Sequence, residues 1–483
     1  MEIRTAAPEY PGQPLRELLA VPLPCGGRRR CGNCGVLLRG GASPASPEEA
    51  ELLQKYSAPP EGFTWRLACF CELAGPVEVM LPEGAPITAE AQGELPGYDG
   101  SQPGSFGLAI DIGTTTVTLA AYRFPGKEPL AVVSEMNRQG AHGADVISRI
   151  GGDHRALHAC VRAQLRDMLA RAGVAPGGVS RAVVTGNTAM LHFFAGLDPS
   201  RMGRYPFTPR SLFGEALPWD LLPGAETYLP PCVTAFVGAD IACGALAAGF
   251  PHGGGNILLV DVGTNGEMLL RANGRLRCCS VAAGPAFEGA EISMGMPALP
   301  GAVDKIWLEG GRLRWHSIPG APVRGICGTG LISALRAFLA LGAIDETGAV
   351  DGPALRLDGC GVAITQRDVR KLQLVKAAVA AGIAAMLDEA GLAPGGIERL
   401  WLAGGFGSYL DPRDAAAIGM IPQSLAARAF AGGNLALRGA EALLFSRKLR
   451  EAAKKLAGGT SEIPLAEHKV FQAAFIEGMG FPE

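Results

Sequence analysis

A small cysteine-bearing unit followed by an α/β unit of two similar lobes is the architecture this sequence predicts, and three observations predict it. Near the N-terminus, Cys25, Cys31, Cys34 and Cys69 form the pattern C-x5-C-x2-C-x34-C. From Phe106 onward, apolar strands alternate with alanine-rich helices, which implies α/β layers. Within that region Leu108-Ala-Ile-Asp111-Ile-Gly113-Thr114-Thr115 returns as Leu258-Leu-Val-Asp261-Val-Gly263-Thr264-Asn265 after 150 residues. A repeat at that distance means two similar lobes around one site.

The whole chain sets bounds on this picture. Its 483 residues exceed one typical domain. Hydrophobic content of 48% with 18% charged residues predicts a globular protein with large cores. The net charge of −3 gives no electrostatic reason to expect nucleic acid. No long uncharged apolar stretch predicts a transmembrane helix, and Met1-Glu2-Ile3-Arg4 does not open a signal peptide. No membrane association and a cytoplasmic location are therefore expected. In that compartment the twelve cysteines are not disulfides. Cys160, Cys232, Cys243, Cys278, Cys279, Cys327 and Cys360 sit among Ala, Val and Gly and read as small buried hydrophobes.

The boundaries follow composition. Residues 1–86 form the first unit. Residues 87–105 lie in a Pro-, Gly-, Ser- and Glu-rich stretch that reads as a linker. Residues 106–255 form the first lobe and 256–483 the second. Strands are expected at 108–112, 117–123, 182–185, 257–262 and 400–403. Helices are expected at 144–150, within 234–248 and at 366–390.

The cysteine spacing carries the first chemistry. Soft anionic thiolates suit iron, and three ligands on one loop with a distant fourth is the plant-type [2Fe–2S] plan. Gly26, Gly27 and Gly32 let backbone N–H groups turn towards the sulfurs. Zinc is the alternative, since C-x2-C is also a zinc motif. Cys71 follows Cys69 by two residues, so strand alternation leaves both on one face. Spacing alone does not choose between them, and Cys69 is taken as the fourth ligand.

The repeated Asp-x-Gly-Thr carries the second. Glycine lets the chain turn and approach a phosphate, and the hydroxyls of Thr114, Thr115 and Thr116 can donate to its oxygens. Asp111 at the strand end is placed to hold Mg²⁺ through water. Asp261, Gly263, Thr264 and Asn265 would do the same from the other side. One such motif is weak evidence, and two, each after a buried strand, are strong. Glu267 follows the second turn and either orients the attacking water or is an exposed turn residue. An electron carrier and an ATP site in one chain suggest that ATP drives an electron uphill.

Several segments resemble known families. Pro24-Cys25-Gly26-Gly27, Cys31-Gly32-Asn33-Cys34 and Arg66-Leu67-Ala68-Cys69 are similar to the [2Fe–2S] domains that open reductive activators of corrinoid proteins. The paired Asp-Gly-Thr turns resemble the acetate kinase, sugar kinase, Hsp70 and actin (ASKHA) superfamily. That resemblance implies an adenosine loop, which Gly404, Gly405, Phe406 and Gly407 fit. Closer similarity to the activators' ATPase lies in His142-Gly143-Ala144-Asp145-Val146-Ile147-Ser148-Arg149, Thr185-Gly186-Asn187-Thr188, Gly238-Ala239-Asp240-Ile241, Ala283-Gly284-Pro285-Ala286-Phe287-Glu288-Gly289 and Ile326-Cys327-Gly328-Thr329-Gly330. The resemblance runs from Cys25 to the C-terminus.

It implies an α+β ferredoxin-like (β-grasp) [2Fe–2S] domain followed by a two-lobed α/β ASKHA ATPase. It further implies ATP-dependent reduction of Co(II) to Co(I) in a corrinoid methyl-transfer protein. An external low-potential reductant and a homodimer come with it. Two departures stand out. Arg29 occupies a position where the family has glycine, and Arg28, Arg29 and Arg30 add positive charge that would raise the potential of the cluster. Relatives carry a middle domain between ferredoxin and ATPase, and here the linker leads straight into the first phosphate strand. A compact member without that domain is therefore expected.

Two rivals are an ATP-driven electron donor to another low-potential enzyme and a small-molecule kinase with an accessory cluster. The second lacks a dedicated sugar-kinase-like aspartate. Other residues invite over-reading. His142 and His192 read as structural. Asp145 and Asp240 fit either helix caps or nucleotide-site carboxylates. Gln373 and Lys376 share one helix face, with Lys376 either near nucleotide or solvated.

Overall fold

The period-two burial of Leu73, Val77 and Val79 makes 72–81 the strand on which the N-terminal sheet is built. The computed structural model describes residues 2–8, 10–18, 29, 34–53, 59–81, 95–251, 254–289, 291–404 and 410–482. In the first region β1 (Glu2–Ala6), β2 (Gln13–Pro14), β3 (Gly35–Ala42), β4 (Thr64–Leu67) and β5 (Glu72–Leu81) form one sheet. The order is β1-β5-β3-β4 with β2 also on β5, and the pairings are antiparallel. The helix Pro47–Leu53 is pinned to β4 by a buried bidentate pair. Arg66 Nε and Nη2 donate to Glu49 at 2.9 and 2.8 Å, and Leu67 N–H adds a third bond at 2.7 Å.

The second region is built on β6 (Phe106–Ile112), β7 (Thr116–Arg123), β8 (Pro129–Met136), β9 (Val179–Gly186), β10 (Glu215–Leu217) and β11 (Glu226–Leu229), in the order β10-β11-β9-β6-β7-β8. The third contains β12 (Ile257–Val262), β13 (Gly266–Ala272), β14 (Arg275–Val281), β15 (Ala302–Glu309), β16 (Arg312–Ser317), β17 (Gly325–Ile326), β18 (Ala354–Arg356), β19 (Ala363–Thr365), β20 (Arg399–Ala403), β21 (Ala429–Gly433) and β22 (Thr460–Glu462). Its large sheet runs β21-β20-β12-β13-β14-β22. The two sheets repeat one plan. β9 is parallel to β6, which is antiparallel to β7 and then β8. Likewise β20 is parallel to β12, which is antiparallel to β13 and then β14. The sequence echo is thus a topological repeat. Each first strand is buried on both faces, as its unbroken apolar run requires.

Two helices are wedged between the sheets. Ala239–Ala247 follows the first sheet, and Leu435–Phe445 comes from the far end of the chain. They pack at backbone distance, because a Cβ on Gly439 would lie 2.0 Å from Cys243 O. Cys243, Leu437, Ala440 and Leu443 join Ala109, Ala120 and Val183 of the first sheet in one core. Ile241, Ala245 and Leu435 join Leu259 and Leu269 of the second in another.

Contacts cross the expected sequence boundary at 255/256. Residues 435–458 belong to the second lobe by sequence but hold the first lobe by contact. Tyr122 OH donates to Glu441 at 2.6 Å, and Glu226 accepts from Arg447 and Arg450 at 2.7 Å. The expected linker is also shorter than its composition suggests. Tyr98 stacks on Phe124 at 4.0 Å, and Asp99 accepts from Arg181 at 3.0 Å, so residues 95–105 are part of the first lobe.

Strands 108–112, 117–123, 182–185 and 400–403 are found, each extended by one or more residues. The helix expected within 234–248 begins only at Ala239, because Thr234 Oγ1 accepts from Val237 N–H and closes a local turn instead. The helix at 144–150 is the single element Val146–Ile150, stopped by Gly151. No described helix is long and apolar enough to cross a membrane.

Candidate functional site

The two Asp-x-Gly-Thr turns face one cavity of about 560 Å³. In the first, Gly113 N–H donates to Thr116 O at 2.9 Å. A Cβ there would lie 2.7 Å from the same oxygen, so the turn closes only on glycine. Asn137 Nδ2 holds Gly113 O at 2.7 Å, and Asn187 Nδ2 donates to Thr114 Oγ1 at 3.0 Å. Asn187 also caps the helix Thr188–Ala195 through Met190 N–H, so one side chain fixes both helix and turn. In the second turn Gly263 N–H donates to Asn265 O at 3.0 Å. Gly404, at the end of β20, completes the wall. Its φ of +91° and the 2.4 Å from an added Cβ to Asp261 Oδ1 exclude any other residue.

Asp111, Asp240, Asp261, Glu267 and Glu288 line this cavity. Burial pushes the Asp111 carboxyl up to about 6, against a 2.9 Å bond from Asn434 Nδ2. Burial, then the charges of Asp111 and Glu288, push Asp261 up to about 7. Asp240 and Glu267 are raised by burial first and by neighbouring carboxylates second. Carboxylates crowded this way resist ionisation until a cation joins them. Hard oxygen donors suit Mg²⁺, although no three of these side chains stand close enough to bind one ion together.

Glu267 is not an exposed turn residue. It is the second residue of β13, directly opposite Asp261, and is buried against the cavity. Asp240 is not a cap, since Gly238 holds that position, and it faces the cavity as well. Gly405, Phe406 and Gly407 of the expected adenosine loop lie outside the described residues.

In the N-terminal region, Cys25 and Cys31 lie outside the described residues, and Cys34 and Cys69 are described. Both are buried, and their sulfurs are 3.2 Å apart although 35 residues separate them. Cys69 and Cys71 do not share a strand face. Cys69 sits in the turn after β4, while Cys71 N–H bonds back to Leu67 O and its own carbonyl binds Leu15 N–H. Alternation does not apply there, because the chain reverses between the two cysteines. Arg29 Nε donates to Cys69 O at 3.0 Å, and Arg29 has φ +55°, the left-handed region that favours glycine. Among the described residues no three His, Cys, Asp or Glu side chains form a metal-binding group.

Comparison with known proteins adds to this geometry. The C-terminal domain of RACo, the ASKHA domain, matches residues 255–483, and the RACo middle region matches 106–252. The corrinoid activation enzyme RamQ of Eubacterium limosum is 30% identical over 413 residues, covering 77% of this chain and 69% of that protein. The [Co(II) methylated amine-specific corrinoid protein] reductase of Methanosarcina barkeri is 28% identical over 403 residues, covering 73% of each. A solved reductive activator for corrinoid, iron–sulfur protein is 32% identical with a TM-score of 0.72, covering 80% of this chain and 67% of that one.

The chain belongs to the family of corrinoid reductive activators.

The expectation that it lacks the family's middle domain is wrong, because the middle region is residues 106–252. The physical reason is the topological repeat. The middle region carries the first Asp-x-Gly-Thr turn on its own copy of the sheet, so from sequence it reads as the first lobe of the two-lobed unit.

Other expectations resolve by contact. Lys376 is neither near the cavity nor solvated. It is 1% exposed, and its ammonium donates to Gly478 O at 2.7 Å and to Gly480 O, holding the C-terminal tail. Gln373 Nε2 reaches Met479 O in the same tail. His192 is structural, bonded to Thr188 O at 2.7 Å and Arg210 N–H at 3.1 Å. Asp145 is a cap, reciprocally bonded with Ser148. The cavity residues that sequence reasoning passed over are Asn187, Asn434 and Glu288. Asn187 and Glu288 stand inside the resembling segments, yet nothing in their spacing states a role.

Proposed function

We propose that this chain couples ATP hydrolysis to one-electron reduction of the Co(II) form of a corrinoid methyl-transfer protein, giving Co(I). The observation that carries the reading is the cavity itself. Two glycine–threonine turns and the carboxylates Asp111 and Asp261 converge there in a chain of this family. Thr114, Thr115, Thr116, Thr264 and Asn265 donate to the nucleotide's phosphates. Asp111 and Asp261 would hold Mg²⁺, and Asp240 would add charge behind them. Glu267, on the strand opposite Asp261, orients the water that attacks the terminal phosphorus. Gly404, Gly405, Phe406 and Gly407 let the adenosine approach the backbone.

Cys25, Cys31, Cys34 and Cys69 are assigned as the ligands of a [2Fe–2S] cluster on the ferredoxin-like domain. The 3.2 Å between Cys34 and Cys69 supports this. Two sulfurs on one tetrahedral metal, bonded at about 2.3 Å, are about 3.8 Å apart, so a small opening admits the metal. When bound, the cluster relays single electrons from an external low-potential reductant. The reaction consumes one electron per cobalt and one water per ATP.

The test is hydrolysis by the anaerobically reconstituted protein in the presence of a Co(II) corrinoid protein. Phosphate release that depends on Mg²⁺ and is abolished in Asp261→Ala supports the reading. Phosphate release that survives Asp261→Ala would remove the cavity from the mechanism.

A further inference from the structure

Thr115 belongs to the first phosphate turn and Thr264 to the second, 149 residues later. In this structure neither hydroxyl faces open space. Thr115 Oγ1 donates to Glu288 Oε2 at 2.9 Å, and Thr264 Oγ1 donates to the same oxygen at 2.7 Å. One anionic oxygen thus collects hydroxyl donors from both lobes, which is the arrangement a phosphate oxygen would adopt between two such turns.

We infer that Glu288 is an internal stand-in for the nucleotide's terminal phosphate, and that its carboxylate latches the two turns together until that phosphate displaces it. The inference rests on the nucleotide reading of the cavity. Three further features support it. Glu288 ends the 3₁₀ turn Pro285–Glu288, which Gly284 N–H ties to the second phosphate turn through Thr264 O at 2.8 Å. Gly289, next in the chain, has φ +78°, and a Cβ on it would lie 2.5 Å from Met296 O. The base of the glutamate is therefore held while its side chain remains the part that can move. From the first lobe, the charge of buried Arg149 acts on the same carboxylate.

A terminal phosphate and Glu288 cannot share these donors, because both are anions in a space already lined by Asp111 and Asp261. The phosphate must therefore turn the carboxylate out, and the cost of doing so is charged to ATP. ADP lacks that phosphate and leaves the latch closed. Glu288 then sets the discrimination between the two nucleotides and links phosphate binding to the relation of the lobes. It is a positioning residue, acting through the threonines.

The experiment is calorimetric titration of the full chain with the Mg²⁺ complexes of a non-hydrolysable ATP analogue and of ADP. Glu288→Gln and Glu288→Asp are compared with the wild type; the first removes the charge and the second withdraws it by one methylene. Both variants are expected to bind the ATP analogue more tightly, by on the order of tenfold, with ADP affinity little changed. In the nucleotide-free variants, amide exchange at 113–116 and 263–266 should quicken. Weaker binding of the ATP analogue in both variants would overturn the latch and make Glu288 a direct ligand of the Mg–nucleotide. Equal changes for the two nucleotides, or no change, would also overturn it. A wild-type chain that binds neither nucleotide would overturn the nucleotide reading, and the latch with it.

Discussion

The proposed Mg²⁺ role needs Asp111 and Asp261 ionised, yet burial raises Asp111 to about 6, and burial with the charges of Asp111 and Glu288 raises Asp261 to about 7. Mg²⁺-dependent ATP hydrolysis at limiting Mg-nucleotide should therefore decline as pH falls through 7 towards 6, which the pH profile of kcat/KM checks, since that ratio reports the free enzyme. The sign for stability is opposite. Between the ordinary carboxylate range and about 7, the folded protein binds more protons at these groups than the unfolded chain does. Without cation it loses stability as pH rises through that window. Added Mg²⁺ should raise the melting temperature more at pH 8 than at pH 6. At the other site the decisive residue is Cys69. Iron content and visible absorption of the reconstituted protein should be lost in Cys69→Ser and kept in Cys71→Ser. The reverse pattern would move the fourth ligand to Cys71.

Elements show where the sequence was legible. The strand 257–262 and the helix 366–390 are found with the expected bounds. Their signals are local: an unbroken apolar run in one, and in the other a Thr365–Asp368 capping box with Gly391 at φ +63° to stop it. The two Asp-x-Gly-Thr turns were equally legible as turns, since the motif after an apolar run needs no partner to be recognised. Contacts between distant segments were not. Nothing near Lys376 announces that residues 478–480 will cover it, and nothing near Tyr98 announces Phe124. Glu288 was invisible as a site residue for the same reason: its meaning comes from Thr115 and Thr264. The Lys376 contact predicts its own consequence. Lys376→Ala leaves two carbonyls without their donor and should weaken the docking of the tail by about 1–3 kcal/mol. Hydrogen exchange at 478–482 should rise while the strands of the first lobe stay protected. Unchanged exchange there would mean that Gln373, Phe481 and the helix Lys469–Glu477 hold the tail without Lys376.

At the scale of the molecule, two sheets of one topology enclose the cavity, and the helices Ala239–Ala247 and Leu435–Phe445 run between them. Any change in the turns must therefore pass into the packing of both lobes. That is the means by which nucleotide state can reach a docked partner. The energy suffices. For one electron, a contribution on the order of 10 kcal/mol corresponds to roughly 0.4 V. On the proposed coupling, ATP would act on the complex in which the electron moves and not on the electron itself.

The most direct measurement is anaerobic absorption spectroscopy of the reconstituted protein mixed with a strong reductant and a Co(II) corrinoid protein, with and without Mg-ATP. The Co(I) spectrum is expected only when Mg-ATP is present, and is expected to be lost in Asp261→Ala and in Cys34→Ala. Co(I) formed at the same rate and extent without nucleotide would contradict that expectation.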